Sequence, residues 1–233
     1  MKKFLACVFI LAIFSGAVFY IGWTQFRVKP NQIGIVISKT NGVDDKPVLN
    51  GEFSWHWQFL LPTNAEVRTF EIKPVSLSKT VTGTLPSGDA YAALYNAGNL
   101  FDYKFSFEIS LTVTPEAIVE LLKQNKITND SDLATYLEGA AATLAQLGSE
   151  YILKRALENP AFRAESLRRE EILKGIHIYK EFPEIDVLVF ALSESKLPDY
   201  AMYKRLQESV PSGINTFQNN QESEYNDENL ETL

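Results

Sequence analysis

The 233-residue chain holds only two histidines, His56 and His177, to serve as general bases. A serine or cysteine becomes a useful nucleophile only beside such a base. His56 lies in Phe53-Ser54-Trp55-His56-Trp57, on the opposite strand face from Trp55 and Trp57, and His177 lies between Ile176 and Ile178. Neither has a nucleophile elbow or triad context, so both read as polar-face strand residues. A zinc site would need these histidines plus carboxylates from distant segments, with Cys7 held in an apolar run. Gly83-Thr84-Leu85-Pro86-Ser87-Gly88-Asp89-Ala90 imitates the glycine spacing of a phosphate loop, but Asp89 and Ala90 replace the Lys and Ser/Thr that would hold phosphate and Mg²⁺. Asn129-Asp130-Ser131-Asp132 lacks the glycine and terminal Glu of a calcium loop and reads as helix capping. Its first three residues also form a glycosylation sequon, meaningful only on a eukaryotic secretory route. No catalytic residue, metal ligand or cofactor is expected.

Composition narrows the classes further. With 45% hydrophobic and 22% charged residues, the chain can bury a substantial core, and its lone cysteine excludes an internal disulfide. The net charge of −7 is concentrated in the C-terminal stretch, where Glu208, Glu222, Glu224, Asp227, Glu228 and Glu231 face no Lys or Arg. A near-neutral body with an acidic tail has no electrostatic footprint for nucleic acid.

The strongest single signal is N-terminal. Lys2 and Lys3 precede an apolar run from Phe4 to Trp23, broken only by Ser15, Gly16 and Gly22. At about 1.5 Å per residue that run covers a hydrocarbon layer of about 30 Å, with Tyr20 and Trp23 at its far end, where amphipathic rings favour the interface. Ser15-Gly16-Ala17 could instead mark signal-peptide cleavage, but the apolar residues continue beyond it and favour an uncleaved anchor. Lys2 and Lys3 favour a cytoplasmic N-terminus and an extracytoplasmic globular part, against a weaker pull from Arg27 and Lys29.

The body alternates between strand and helix patterns. Ile33, Ile35 and Ile37 share one strand face, and Asn41-Gly42 reads as a turn. Phe53, Trp55, Trp57 and Phe59 alternate along a second strand that ends at Pro62, and Val67 to Leu77 reads as extended. Thr82 to Gly98 reads as a loop. Tyr103 to Val113 alternates strictly, and Thr114-Pro115-Glu116 supplies a cap, a first-turn proline and an acid for a helix. A long helix is expected over Asp132 to Leu157, broken at Asn159-Pro160, and another over Ala161 to Lys174, closed by a left-handed Gly175. Strands follow at Ile176–Tyr179 and Ile185–Leu192, then a helix from about Tyr200 to Val210. The expected class is α+β, divided into an anchor (1–27), a folded domain (28–210) and a disordered acidic tail (211–233).

Several of these segments, in this order, carry a resemblance. The anchor is followed by Val28-Lys29-Pro30-Asn31-Gln32-Ile33-Gly34-Ile35-Val36, then Gly51-Glu52-Phe53-Ser54-Trp55-His56-Trp57 and Leu61-Pro62. The amphipathic strand Tyr103 to Val113 comes next, and later Gly175-Ile176-His177-Ile178, Val187-Leu188-Val189-Phe190 and Leu197-Pro198-Asp199. This order resembles the stomatin, prohibitin and flotillin superfamily, the SPFH or band-7 proteins, over roughly 28–208. The resemblance implies an SPFH-like domain of antiparallel strands packed with helices. It implies a non-catalytic membrane scaffold, associating with itself or a related SPFH subunit, with a bilayer and a membrane-bound protease as partners. The chain departs from the family in lacking a long heptad helix after Val210 and the alanine- and glutamate-rich repeats of flotillins.

Two surfaces follow as candidates. Phe53, Trp55, Trp57 and Phe59 either pack the first sheet or, with Tyr20 and Trp23, contact a membrane surface, and the resemblance places this hairpin near the bilayer. Arg163, Arg168 and Arg169, interleaved with Glu165, Glu170 and Glu171, form either a solvated helix face or a contact between subunits. The competing functional reading is a cleaved, extracytoplasmic module that binds an apolar ligand in its sheet.

Overall fold

The computed structural model describes residues 2–24, 28–159, 162–164 and 167–209. In chain order the elements are α1 (Lys2–Gly22), β1 (Gln32–Ser38), β2 (Gly42–Val43), β3 (Val48–Leu49), β4 (Ala65–Glu71), β5 (Val75–Thr84), α2 (Gly88–Tyr95), β6 (Asp102–Val113), α3 (Pro115–Lys123), α4 (Asp130–Glu158), α5 (Arg169–Ile176) and β7 (Ile185–Lys196). Residues 200–209 are helical. The class is α+β. The expected tail, 211–233, lies outside the described residues.

The chain divides into two compact units. One comprises Met1–Lys79, Glu108–Leu144 and His177–Ala191, and the other comprises Thr80–Phe107, Ala145–Ile176 and the chain from Leu192. In the first unit β1 is the organising strand. β4 lies antiparallel along its whole length, from Gln32 opposite Glu71 to Ser38 opposite Ala65, and β2 and β3 share its other edge. Ile33, Ile35 and Val36 are therefore buried together, so β1 is covered on both faces and not only on the isoleucine face. Val28, Val36 and Val48 form a small cluster there, with Phe59 and Val67 packed against it.

β5, β6 and β7 form a three-stranded sheet in that order. The apolar face of β6 is as expected, with Phe105, Phe107, Ile109, Leu111 and Val113 all buried, but the other face is not left to water, since Ser106 and Ser110 are buried as well. The cap that follows is also as expected. Thr114 Oγ1 accepts from the Ala117 amide at 3.2 Å and Pro115 occupies the first turn of α3. α4 runs unbroken for 29 residues, burying Leu133, Leu137, Ala140, Ala141, Leu144 and Ile152 at helical spacing.

The second unit contains the largest departures from the sequence pattern. The glycine- and alanine-rich stretch read as a loop contains α2, because Tyr91 and Ala92 pack on a core of Leu85, Phe101, Tyr203 and Leu206. Tyr203 donates from its hydroxyl to the Pro86 carbonyl at 2.8 Å, closing that core from the last helical segment. The helix expected over 161–174 is α5, which begins later at Arg169; residues 160, 161, 165 and 166 lie outside the described set. Gly175 is not the left-handed terminator, since α5 continues to Ile176 and His177 takes that conformation at φ 51°. Gly175 is needed because a Cβ there would enter the Tyr151 ring. The strand expected over Ile176–Tyr179 is instead the helix end and a 3-10 turn, Ile178–Lys180. Two isoleucines at period two cannot distinguish a strand from a helix end over so short a window.

Candidate membrane-contact surface

α1 is 21 residues long, apolar from Phe4 onward save Ser15, and almost wholly exposed, with Phe4 at 75% and Tyr20 at 63% of full exposure. It is long enough to cross a membrane, a property that a signal sequence shares. A helix ends with carbonyls that no intrahelical amide can reach. Here the folded unit supplies a donor for the Gly22 carbonyl and a second donor for the Phe19 carbonyl, which already accepts from the Trp23 amide at 3.1 Å. The Trp55 indole Nε1 donates to the Phe19 carbonyl at 3.2 Å, and the His56 amide donates to the Gly22 carbonyl at 2.8 Å. The Thr24 amide donates to the Ser54 carbonyl at 3.0 Å, and the Thr24 hydroxyl donates to the same oxygen at 3.2 Å. Trp23 and Trp55 thus face each other across an isolated antiparallel bridge.

That bridge is all the strand character the aromatic run has. The expected strand through Phe53, Trp55, Trp57 and Phe59 gives way to a 3-10 turn, Trp57–Leu60. Alternation marks a strand only if a neighbour offers a free ladder, and both edges of β1 are already taken. The core reading fails for three of the four rings. Phe53 is 62% exposed, Trp55 38% and Trp57 46%. Phe59 turns the other way, onto the Val28–Val36–Val48 cluster, so it leaves the candidate surface, and the exposed Leu60 and Leu61 take its place. Phe53 stacks on Phe19 with centroids 5.8 Å apart and tilts against Trp23 at 6.2 Å, making one aromatic shelf with the helix end. The shelf is aromatic and leucine-rich in composition, the kind of surface that favours a water–lipid boundary.

Beneath the shelf lies an interaction that the sequence reading missed. Ser54 Oγ and His56 Nε2 are 2.8 Å apart, and His56 Nδ1 lies 3.3 Å from Asp44 Oδ2 in the segment between β2 and β3. The Ser–His spacing of two residues was a usable signal, but nothing in the sequence tied Asp44 to it. The order of nitrogens matches a hydrolytic triad. The His56 side chain is 13% exposed and opposes the Asp44 loop. Burial pushes the His56 imidazole below its ordinary value, against an upward pull from the Asp44 carboxylate. His177, by contrast, sits in left-handed conformation just after α5 and not in a strand. Among the described residues no group of three His, Cys, Asp or Glu side chains converges as a metal set.

The arginines singled out for subunit contact are all exposed. Arg163 follows a segment outside the described residues, Arg168 precedes α5, and Arg169 opens it, with its guanidinium 3.2 Å from Glu170. Such an exposed ion pair contributes little to stability.

No family model matches the chain. It is 28% identical over 194 residues to an uncharacterized protein of Treponema pallidum (strain Nichols), an alignment covering 81% of this chain and 64% of that protein's length. The chain therefore spans less than two thirds of the relative it matches.

Proposed function

We propose that this protein is a single-span, membrane-anchored scaffold of the SPFH type, without catalysis of its own, whose globular part lies outside the cytoplasm. It associates laterally with further copies or a related SPFH subunit and organises membrane proteins or lipids, with a membrane-bound protease among the partners it modulates. The observation that carries this reading is the junction at the end of α1. A signal sequence is discarded after export and has no need of a built seat, whereas Phe19, Gly22, Trp23 and Thr24 are bonded or stacked into the 53–56 segment. The shelf of Phe53, Trp55, Trp57, Leu60 and Leu61 beside that junction supports a domain resting on the bilayer. The resemblance in element order supplies the scaffold role.

Carbonate extraction of native membranes, followed by intact mass and size-exclusion in mild detergent, tests it. A full-length chain that resists extraction and elutes as a large homo-oligomer supports the scaffold. A soluble monomer beginning near Val18 overturns it in favour of an exported ligand-binding module.

A further inference from the structure

We propose that Asp44, His56 and Ser54 form a proton-sensitive clamp that holds the end of α1 against the folded unit and loosens when His56 takes up a second proton. The inference does not depend on the scaffold reading. It rests on the hydrogen-bond inventory of the junction. A carboxylate only accepts, so the His56 nitrogen facing Asp44, Nδ1, carries the hydrogen in the neutral ring. Nε2 is then the acceptor, and the Ser54 hydroxyl donates to it. The same two residues also hold the helix through their backbones. The Ser54 carbonyl takes both bonds from Thr24, and the His56 amide bonds the Gly22 carbonyl.

A proton added at Nε2 reverses this order. Nε2 becomes a donor, the Ser54 hydroxyl must rotate to accept, and its own hydrogen loses the acceptor it had. Its own residue's carbonyl already takes both bonds from Thr24. The ring also becomes a cation in a largely buried place, which burial disfavours and Asp44 only partly offsets. Among the described residues Asp44 is the one charged group recorded facing the ring; Asp45 beside it is engaged with Lys123 at 2.6 Å. Protonation therefore works against the side-chain contacts that hold the 54–56 segment, whose backbone seats the helix.

The chain carries its own reporter. Its three tryptophans are Trp23, Trp55 and Trp57, all at this junction, so intrinsic fluorescence reads the clamp and little else. The experiment is a pH titration of tryptophan emission on the full-length protein in mild detergent, between about pH 7.5 and 4.5, spanning the ordinary histidine range. The expected result is a reversible red shift with a midpoint below 6.5, absent in His56→Gln, which keeps a neutral polar side chain, and present in His177→Gln. Asp44→Asn removes the group that favours the cation and should move the midpoint further down. Far-UV circular dichroism at each end of the titration distinguishes loosening from unfolding, and a helix signal that holds through the shift is expected. An emission spectrum unchanged with pH, a transition that survives in His56→Gln, or global loss of the helix signal at the same midpoint overturns the proposal.

Discussion

The Trp55 indole donates to the Phe19 carbonyl across 36 residues of chain, so a side chain of the folded unit adds a second bond to a carbonyl near the end of the apolar helix. Three further bonds from Thr24 and His56 lie within one turn of it. A helix tethered only by its chain would pivot about residues 23–27. This one is held at four polar points and by two ring contacts of Phe53. Rotation about the junction must break several of them together.

Gly22 is the tightest part of that junction. A Cβ on Gly22 would run into the five-membered ring and Nε1 of Trp55. Gly22→Ala should displace the indole, break its bond to Phe19 and cost about 1–3 kcal/mol, the usual range for overpacking. Thermal unfolding in detergent, followed by tryptophan emission, would show a lower midpoint and a red-shifted native spectrum. An unchanged spectrum would mean that the indole does not pack on the helix end.

Bilayer contact at the shelf can be read with the same tryptophans. In a Trp23→Phe variant reconstituted in vesicles, only Trp55 and Trp57 remain. Lipids brominated near the headgroup end of their acyl chains should quench this emission more strongly than lipids brominated near the tail end, because indoles settle at the interface. Emission insensitive to both lipids would place the shelf in water or in a protein contact.

Lateral association through the arginine face predicts a charge effect. Reversal of Arg163, Arg168 and Arg169 to Glu should abolish amine-independent cross-linking between copies, and a single reversal should weaken it and lessen its dependence on salt. Because these side chains are exposed, the fold itself should be little affected, within about 0.5 kcal/mol per substitution. Cross-linking unaltered in the triple variant would assign the face to solvent.

Glu184 provides a pH-dependent test of the first unit's core. Its side chain is 8% exposed and accepts from Lys126 Nζ at 2.9 Å and the Tyr136 hydroxyl at 3.0 Å. Burial raises the carboxyl's affinity for a proton, but bonds from Lys126, its own backbone amide and Tyr136 outweigh it and hold the group below the usual value of 4.5. The folded state therefore binds this proton less readily than the unfolded chain. Its stabilising contribution is complete above about pH 4.5 and is lost as pH falls through the folded value. Glu184→Gln should cost about 1–3 kcal/mol at pH 7 and flatten the acid limb of the stability curve, measured by urea unfolding at several pH values.

What the sequence determined by itself was whatever depends on local pattern. The apolar length of α1, the strict alternation of β6, the Thr114-Pro115 cap and the helical spacing of α4 each specify an element without reference to anything distant in the chain. The tertiary structure decided the cases where one local pattern was compatible with two environments. Alternation in Phe53–Phe59 suited a strand, but a strand needs a free edge and β1 offered none, so the run bent and left its rings outside. The 82–98 stretch had a loop composition, yet a buried Phe101–Tyr203 core made a short helix there worthwhile. Ser54 and His56 stand two residues apart in the sequence, but only the loop between β2 and β3, folding onto His56, brought Asp44 to complete them. Contacts between residues distant in sequence depend on how the chain closes on itself, and neither hydrophobic period nor composition encodes that closure.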